Sequence, residues 1–409
     1  MKSLDFLNLF QGIATLAAAP PQLIALRLLL ICLGIGLLYL GRKGILEALV
    51  MIPLGLGMAT VNAAMLFLEP GQAGTLLVDP LLTPPLPLLN RLPLDWLQPV
   101  YTLTFRNGLL ACLVFMGIGT LLDMGLVMAR PLQSLLLALC AELGTVVTFP
   151  LATAMGFTPG QAAAVATIGG ADGPVVLFTS LLLARDMSVP LVVVAYLYVG
   201  LVPRIYPWLI KLLVPRPIRG LRLPVEPLRV FTAMEKLLVC ALLCVLLSLL
   251  LPVVAPLLLS LFLGVMVRES GLSQCYQVLS GPLLYGATLF LGLLLGVLCE
   301  AHTLLHPQVW GVLLLGVSAL LLAGLGGLLG GYLLYFASGR RYNPVIGIAG
   351  VSGMPGCARV AQQVVAEVTP AAMILPQALG ATISGMITSV IIAGLLLTVL
   401  QRMAFPLTP

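Results

Sequence analysis

A chain of 409 residues that is 60% hydrophobic and only 8% charged carries about a third of the charge of an ordinary soluble domain. That excludes a soluble enzyme and defines an all-α polytopic membrane protein. The formal net charge of +6 comes from basic loops; it reports topology and gives no reason to expect a nucleic-acid partner. Apolar windows near residues 22–40, 45–68, 108–128, 132–156, 160–183, 188–212, 234–266, 280–299, 308–337, 342–366 and 372–401 are each about long enough for a bilayer. They predict roughly nine to eleven spans, some broken or re-entrant.

Residues 1–20 resemble a signal peptide in having Lys2 and the small run Ala17-Ala18-Ala19, but Asp5, Asn8 and Gln11 interrupt the apolar core. A retained interfacial helix is expected. A first membrane half, 21–212, follows. Its first span ends at Arg42-Lys43, and the Pro53/Gly55/Gly57 window with Asn62 reads equally well as a bent or as a tilted packing helix. Residues 70–106, rich in proline and carrying Trp96 and Tyr101, read as a loop at the membrane interface. Asp123 reads as a helix-end carboxylate. Glu142, well inside its window, needs a partner and is either a second ion-path group or helix-helix glue.

The run Ile168-Gly169-Gly170-Ala171-Asp172-Gly173-Pro174 sets an acid among helix breakers. Backbone unwound at membrane depth is tolerated only where protein or a wet cavity surrounds it, and a carboxylate there usually marks an ion or proton path. The plainer alternative is a kink with Asp172 capping the second half-helix. Tyr196 and Tyr198 follow; two residues apart, they point to different helix faces, so only one can face Asp172.

Residues 213–233 form a basic cytoplasmic loop. With the flanking positions it carries Arg204, Lys211, Arg216, Arg219, Arg222, Arg229 and Lys236 against Glu226 and Glu235, a docking surface for an acidic soluble partner or anionic lipid. The second half, 234–409, contains Arg268-Glu269, which can pair locally. His302 and His306 lie beside Glu300 but lack a third ligand at useful spacing. Gly326-Gly327 and Gly330-Gly331 give a small-residue face for close helix approach. The eight cysteines, mostly in apolar runs, read as reduced packing residues.

A second interrupted stretch, 343–359, contains Asn343-Pro344, Gly347, Gly350, Ser352-Gly353, Pro355-Gly356 and Arg359. Arg359 requires an anionic partner, either Asp172 or a substrate carboxylate. Interrupted segments in corresponding halves point to an inverted-repeat transporter with its site near the midplane. The two breaks are expected to meet there and share an ion.

At these residues the chain resembles the β subunit of the sodium-pumping, biotin-dependent decarboxylases. The resemblance rests on Gly169 through Pro174, the Tyr196/Tyr198 segment running to Pro203, Gly264 through Gly271, and Asn343 through Arg359, in family order. It implies a membrane subunit that decarboxylates carboxybiotin delivered by a partner and couples this to outward sodium transport with proton uptake. Carried over residue by residue, it implies catalytic roles for Asp172, Tyr198, Ser352 and Arg359. It also implies substrate contacts from Arg359, Ser352 and Gly347, and sodium ligands at Asp172, Asn343 and Thr382.

At Gly380-Ala381-Thr382-Ile383-Ser384-Gly385 the chain departs from the family's Gly-Pro-Asn-Val-Ala-Gly. A hydroxyl stands where an amide oxygen is expected, a weaker ligand for a hard cation, with Ser384 and Gln377 near enough in sequence to compensate. The resemblance further implies inverted repeats with one part moving like an elevator, and biotin held on a carrier rather than covalently here. The partners expected are a carboxyltransferase α subunit, a small γ or δ membrane subunit and further copies of this chain, in the plasma (inner) membrane of a bacterium or archaeon. The alternative is a stand-alone ion-coupled carrier for an organic anion.

Overall fold

The structure, a computed structural model, describes residues 10–69, 72–75, 77–78, 97–224, 229–301, 308–351 and 356–404. These are helical except for connecting turns and one short antiparallel hairpin, Leu66–Glu69 with Gln72–Gly74. Among the described residues eight helices are long and apolar enough to cross a membrane, or nine if Gln98–Phe105 and Leu109–Gly119, bent by 64°, make one span. The protein is a multi-pass membrane protein.

Three windows form no single span, whereas the 234–266 window forms two, Ala233–Leu250 and Pro252–Glu269; of the three, the 342–366 window contains the 3-10 segment Pro344–Gly350 and the short helix Gly356–Ala366. The 45–68 window forms only the 16-residue helix Ala48–Ala63, and its last residues leave as a strand, since a short apolar run suits either state. The 160–183 window is divided into Pro159–Ala166, a 3-10 turn and Gly173–Leu183. Of the 1–20 segment, the described part contains the helix Gln11–Ala17. All eight cysteines are free.

The chain forms two compact units, Met1–Leu110 with Gly286–Val309 and Ala111–Tyr285 with Trp310–Pro409.

In the first unit, Asn62 is fully buried. Its amide donates to the carbonyls of Met58 and Cys299, both at 2.9 Å, and accepts from the Ala301 N–H at 3.0 Å. That is a packing role, satisfying backbone groups that a helix end leaves open. Arg27, 1% exposed, donates through Nε to the Asn62 carbonyl at 3.0 Å and lies within electrostatic reach of Glu300.

In the second unit, Asp123 caps the helix Met124–Ala129, accepting from the Gly125 N–H at 2.9 Å. Lys236 Nζ lies 2.9 Å from Asp123 and 3.3 Å from Glu269, while Arg268 reaches both acids at 3.7 and 3.6 Å. Arg268 and Glu269 therefore pair locally, but within a four-charge group. Burial alone would raise the Asp123 pKa, but hydrogen bonds from Lys236 and Gly125 and the charges of Lys236 and Arg268 outweigh it and hold the carboxyl below its ordinary value.

A depressed folded-state pKa contributes stability that is present above the unfolded value, about 3.9, and is lost as pH falls through the folded value. Melting of Lys236→Met in detergent across pH 2–6 should therefore show a weaker acid limb than the parent. An identical limb would show that the tie contributes nothing to stability.

Candidate ion site and second 3-10 segment

The helix Pro159–Ala166 starts with a capping box between Thr158 and Gln161 and passes into the 3-10 turn Thr167–Gly170. Gly169-Gly170 weakens the α-helical continuation. Ala171 then adopts a left-handed conformation, φ 49°, at a cost of about 1–2 kcal/mol for a residue with a Cβ. Asp172 follows in extended conformation at the N-cap of Gly173–Leu183, with Pro174 in the first turn. Its side chain makes no capping hydrogen bond, which removes the simplest structural explanation for an acid at this position. The Thr167 hydroxyl, 3.0 Å from that of Thr179, ties the two sides of the interruption together.

Asp172 is 3% exposed, and Glu142 is equally buried. Glu142 stands at the junction of Pro131–Ala141 and Leu143–Ala154. It accepts from the Thr145 hydroxyl at 2.7 Å, bonds the Ser389 hydroxyl, and is within electrostatic reach of Asp172. Gly170 leaves room for Ser389 where a Cβ would collide, and Gly169 lies on the backbone of Gly144 and Thr145. Two buried carboxylates and two hydroxyls thus gather at one interruption, an oxygen-rich set suited to a hard cation. Glu142 was flagged by its depth in an apolar window; Ser389 and Thr145 carried no local signal. Tyr196 is the tyrosine turned to this site, its ring lying against Gly173. Tyr198, about 200° further round the helix, packs on Gly316 and donates to the Leu313 carbonyl at 2.7 Å.

The second interruption is the 3-10 segment Pro344–Gly350, capped by Asn343, whose Oδ1 accepts from the Val345 N–H at 3.0 Å. The Asn343 amide nitrogen donates to the carbonyls of Arg219 and Leu221 at 3.0 and 2.9 Å, latching the basic segment onto this turn. The glycines of Gln308–Ala337 form two contact faces. Gly326 and Gly330 meet Cys140, while Gly327 and Gly331 meet the backbone of Gly347 and Pro344. The Thr382 hydroxyl, buried, donates to the Ala349 carbonyl at 2.8 Å, leaving its lone pairs for another partner.

Both interruptions rest on the same two elements. On Leu375–Ala404, Thr382 meets the second and Ser389 the first. On the Pro131–Ala154 span, Leu137 meets Gly350 and Gly144 meets Gly169. In each case the contacts are seven residues apart, an axial offset of roughly 10 Å. The Gly169-Gly170 and Ala349-Gly350 backbones therefore contact shared helices at positions about two turns apart. Arg359, on Gly356–Ala366, is exposed and makes no ion pair among the described residues, so of the partners expected for it Asp172 is not the one engaged here. Ser352, His302 and His306 lie outside the described residues. Among those described, no group of three His, Cys, Asp or Glu side chains could hold a metal ion. Of the two residues expected to compensate at Thr382, Ser384 is buried and accepts from Thr388 through its carbonyl. Gln377 instead lines a water-sized cavity with Arg130, Ser134 and Tyr342.

A multi-pass helical protein with paired carboxylates at one helix interruption and an amide-latched 3-10 turn at another belongs, by class, with membrane proteins that move ions. More particularly, the chain belongs to the family of the Na+-transporting oxaloacetate decarboxylase beta subunit, which it matches over residues 26–400. It is 49% identical over 403 residues to the carboxybiotin decarboxylase of Malonomonas rubra, covering 97% of this chain and 98% of the relative. It is 34% identical to the oxaloacetate decarboxylase beta chain 2 of Salmonella typhi, over 73% of this chain and 70% of the relative. Identity to the methylmalonyl-CoA decarboxylase subunit beta of Veillonella parvula is 33%, over 71% and 77%. Membership makes the chain a membrane subunit of a sodium-transporting decarboxylase. These relatives lend no support to a stand-alone carrier.

Proposed function

We propose that this chain decarboxylates carboxybiotin presented by the biotin carrier of a partner and couples the reaction to outward sodium transport, with proton uptake. The observation that carries the reading is the near full-length similarity to a protein named carboxybiotin decarboxylase. The bond broken joins the ureido nitrogen to the carboxylate carbon. Its electron pair stays on nitrogen, which takes one proton, and carbon dioxide leaves. Arg359, exposed and without an ion pair among the described residues, receives the carboxylate, and Ser352 and Gly347 complete the substrate contacts. Removing the anion from water into apolar surroundings favours loss of charge.

Sodium occupies the Asp172 position with oxygens from Glu142, Thr145 and Ser389, and a second position near Asn343 Oδ1 and Thr382 Oγ1. Cation and proton alternate at Asp172 because each disfavours the other there. We assign the proton relay to Tyr196, which lies against Gly173; Tyr198, the residue implied by the resemblance, takes over only by releasing the Leu313 carbonyl. The two interruptions belong to inverted repeats, one part moving as an elevator, in the inner membrane of a bacterium or archaeon. The basic 204–222 surface docks the carrier, and a carboxyltransferase subunit, a small membrane subunit and further copies of the chain complete the complex.

The test is carboxybiotin-driven sodium movement by the reconstituted complex in vesicles. Decarboxylation at full rate without sodium, and with no sodium movement, would refute the coupling. Thr382→Val in the same vesicles should raise the sodium concentration for half-maximal rate. It should also cost about 1–3 kcal/mol of stability by leaving the buried Ala349 carbonyl unpaired. Unchanged half-saturation would remove Thr382 from the ion path.

A further inference from the structure

Arg359 has a neighbour on its own helix that the scheme above does not use. Gly356–Ala366 turns Cys357, Val360, Ala361 and Val364 inward and packs on the second 3-10 segment and on the helices Ser188–Leu213 and Leu375–Ala404. Its outer face carries Arg359 and, one turn further on, Gln363, both exposed. Residues four apart on a helix have Cβ atoms about 5–6 Å apart and share a face. The other polar side chains of this stretch are committed. Gln362 donates to the Ala372 carbonyl at 2.9 Å and accepts from the N–H groups of Ile374 and Leu375 at 2.8 and 3.0 Å, and Glu367 is paired with Lys211 at 2.7 Å. Gln363 makes no side-chain hydrogen bond among the described residues, so an uncommitted guanidinium and an uncommitted carboxamide stand one turn apart on one face.

An N-carboxylated ureido group presents three features in a row along one edge: the carboxylate on the first ring nitrogen, the ring carbonyl, and the N–H of the second nitrogen. A carbonyl beside an N–H is the complement of a primary carboxamide, which donates through its nitrogen and accepts through its oxygen. We propose that Gln363 binds the ureido ring of the substrate, its Nε2 donating to the ring carbonyl and its Oε1 accepting from the ring N–H, while Arg359 holds the carboxylate. The assignment rests on the decarboxylase reading above. It extends that reading from the anion, which any guanidinium attracts, to the ring that sets a ureido substrate apart from other carboxylates. When the N–C bond breaks, the electron pair left on nitrogen spreads onto the ring oxygen, where the Gln363 N–H meets the developing charge. The plainer role for an exposed glutamine, a wetted helix face, predicts neither effect.

In the reconstituted complex, Gln363→Met keeps the length and helix propensity of the side chain but loses both hydrogen bonds. It should lower kcat/KM for free N-carboxybiotin about tenfold. Free biotin, the product, has the ring edge without the carboxylate, so its inhibition constant should rise about fivefold in the same variant, with sodium half-saturation and melting temperature parental. Arg359→Met should lower kcat/KM and leave the biotin inhibition constant near the parental value. Parental kcat/KM in Gln363→Met, or a parent that biotin does not inhibit, would overturn the assignment. So would a loss of kcat/KM with unchanged biotin inhibition, which would put Gln363 on the carboxylate, or a melting temperature lowered in step with the rate, which would make it a structural residue. Should Gln363→Met fail to assemble, Gln363→Glu decides alone: it loses the donor and sets a negative charge beside the substrate, and parental kcat/KM there counts against the proposal. A parent complex that does not decarboxylate N-carboxybiotin refutes the decarboxylase reading itself, which is scored before any variant.

Discussion

Asp172→Asn should lower sodium-stimulated carboxybiotin decarboxylation by about 10²–10⁴-fold, the range expected when a group that handles protons in the reaction is lost. The substitution keeps the size of the side chain but removes both its negative charge and its exchangeable proton. Stability should move the other way or not at all. Glu142, the buried neighbour of Asp172, is relieved of a nearby like charge. The complex should therefore assemble with a melting temperature equal to or above the parent's while turnover collapses. Rates of purified complex in vesicles, measured over a sodium series beside a thermal melt, make the comparison. Parental sodium dependence in the variant would exclude Asp172 from coupling, and a lower melting temperature with proportionate loss of rate would reduce it to a structural acid.

The second large effect is expected at Gly347, through packing. A Cβ there would meet the Gly327 carbonyl oxygen inside any real contact distance, with the Gly331 nitrogen also too close. Neither neighbour is the flexible end of a side chain. The backbones are also held together by the reciprocal contact of Gly331 with Pro344 and by the Thr382 bond to Ala349. Overpacking typically costs 1–3 kcal/mol; with backbone on both sides Gly347→Ala should reach about 3 kcal/mol, and it should displace the second 3-10 segment. Gly36, inside Pro21–Arg42 with open space where its Cβ would stand, is the control. Its alanine variant should be neutral or gain roughly 0.5–1 kcal/mol from helix propensity. Thermal melts in detergent rank the two, and equal midpoints would show that the glycine contact is not tight in solution.

The roles implied by family resemblance and the roles visible in packing meet differently at different residues. Gly347, implied as a substrate contact, is also where two backbones touch. Asn343, implied as a sodium ligand, already uses its amide to cap one turn and hold another segment, leaving part of Oδ1 for an ion. Tyr198, implied as catalytic, is turned to the Leu313 carbonyl while the Tyr196 ring lies against Gly173, next to the acid in sequence.

Composition and apolar window length alone determine that the chain crosses a membrane many times, because a bilayer demands long apolar segments wherever they fall in a fold. Glycine and proline likewise mark in the sequence where helices give way, at 169–174 and 344–350, since backbone propensity is a local property. The charged interior positions, Glu142 and Asp172, announce themselves by their surroundings for the same reason. Only the tertiary structure decided which neighbours they meet: Ser389 from 247 residues beyond Glu142, and the Arg219 and Leu221 carbonyls more than 120 residues before Asn343. It also decided which tyrosine looks inward, and that the two interruptions are staggered along shared helices. Helix rotation and long-range hydrogen bonds follow from how many distant surfaces pack at once, and no local pattern of residue types carries that information.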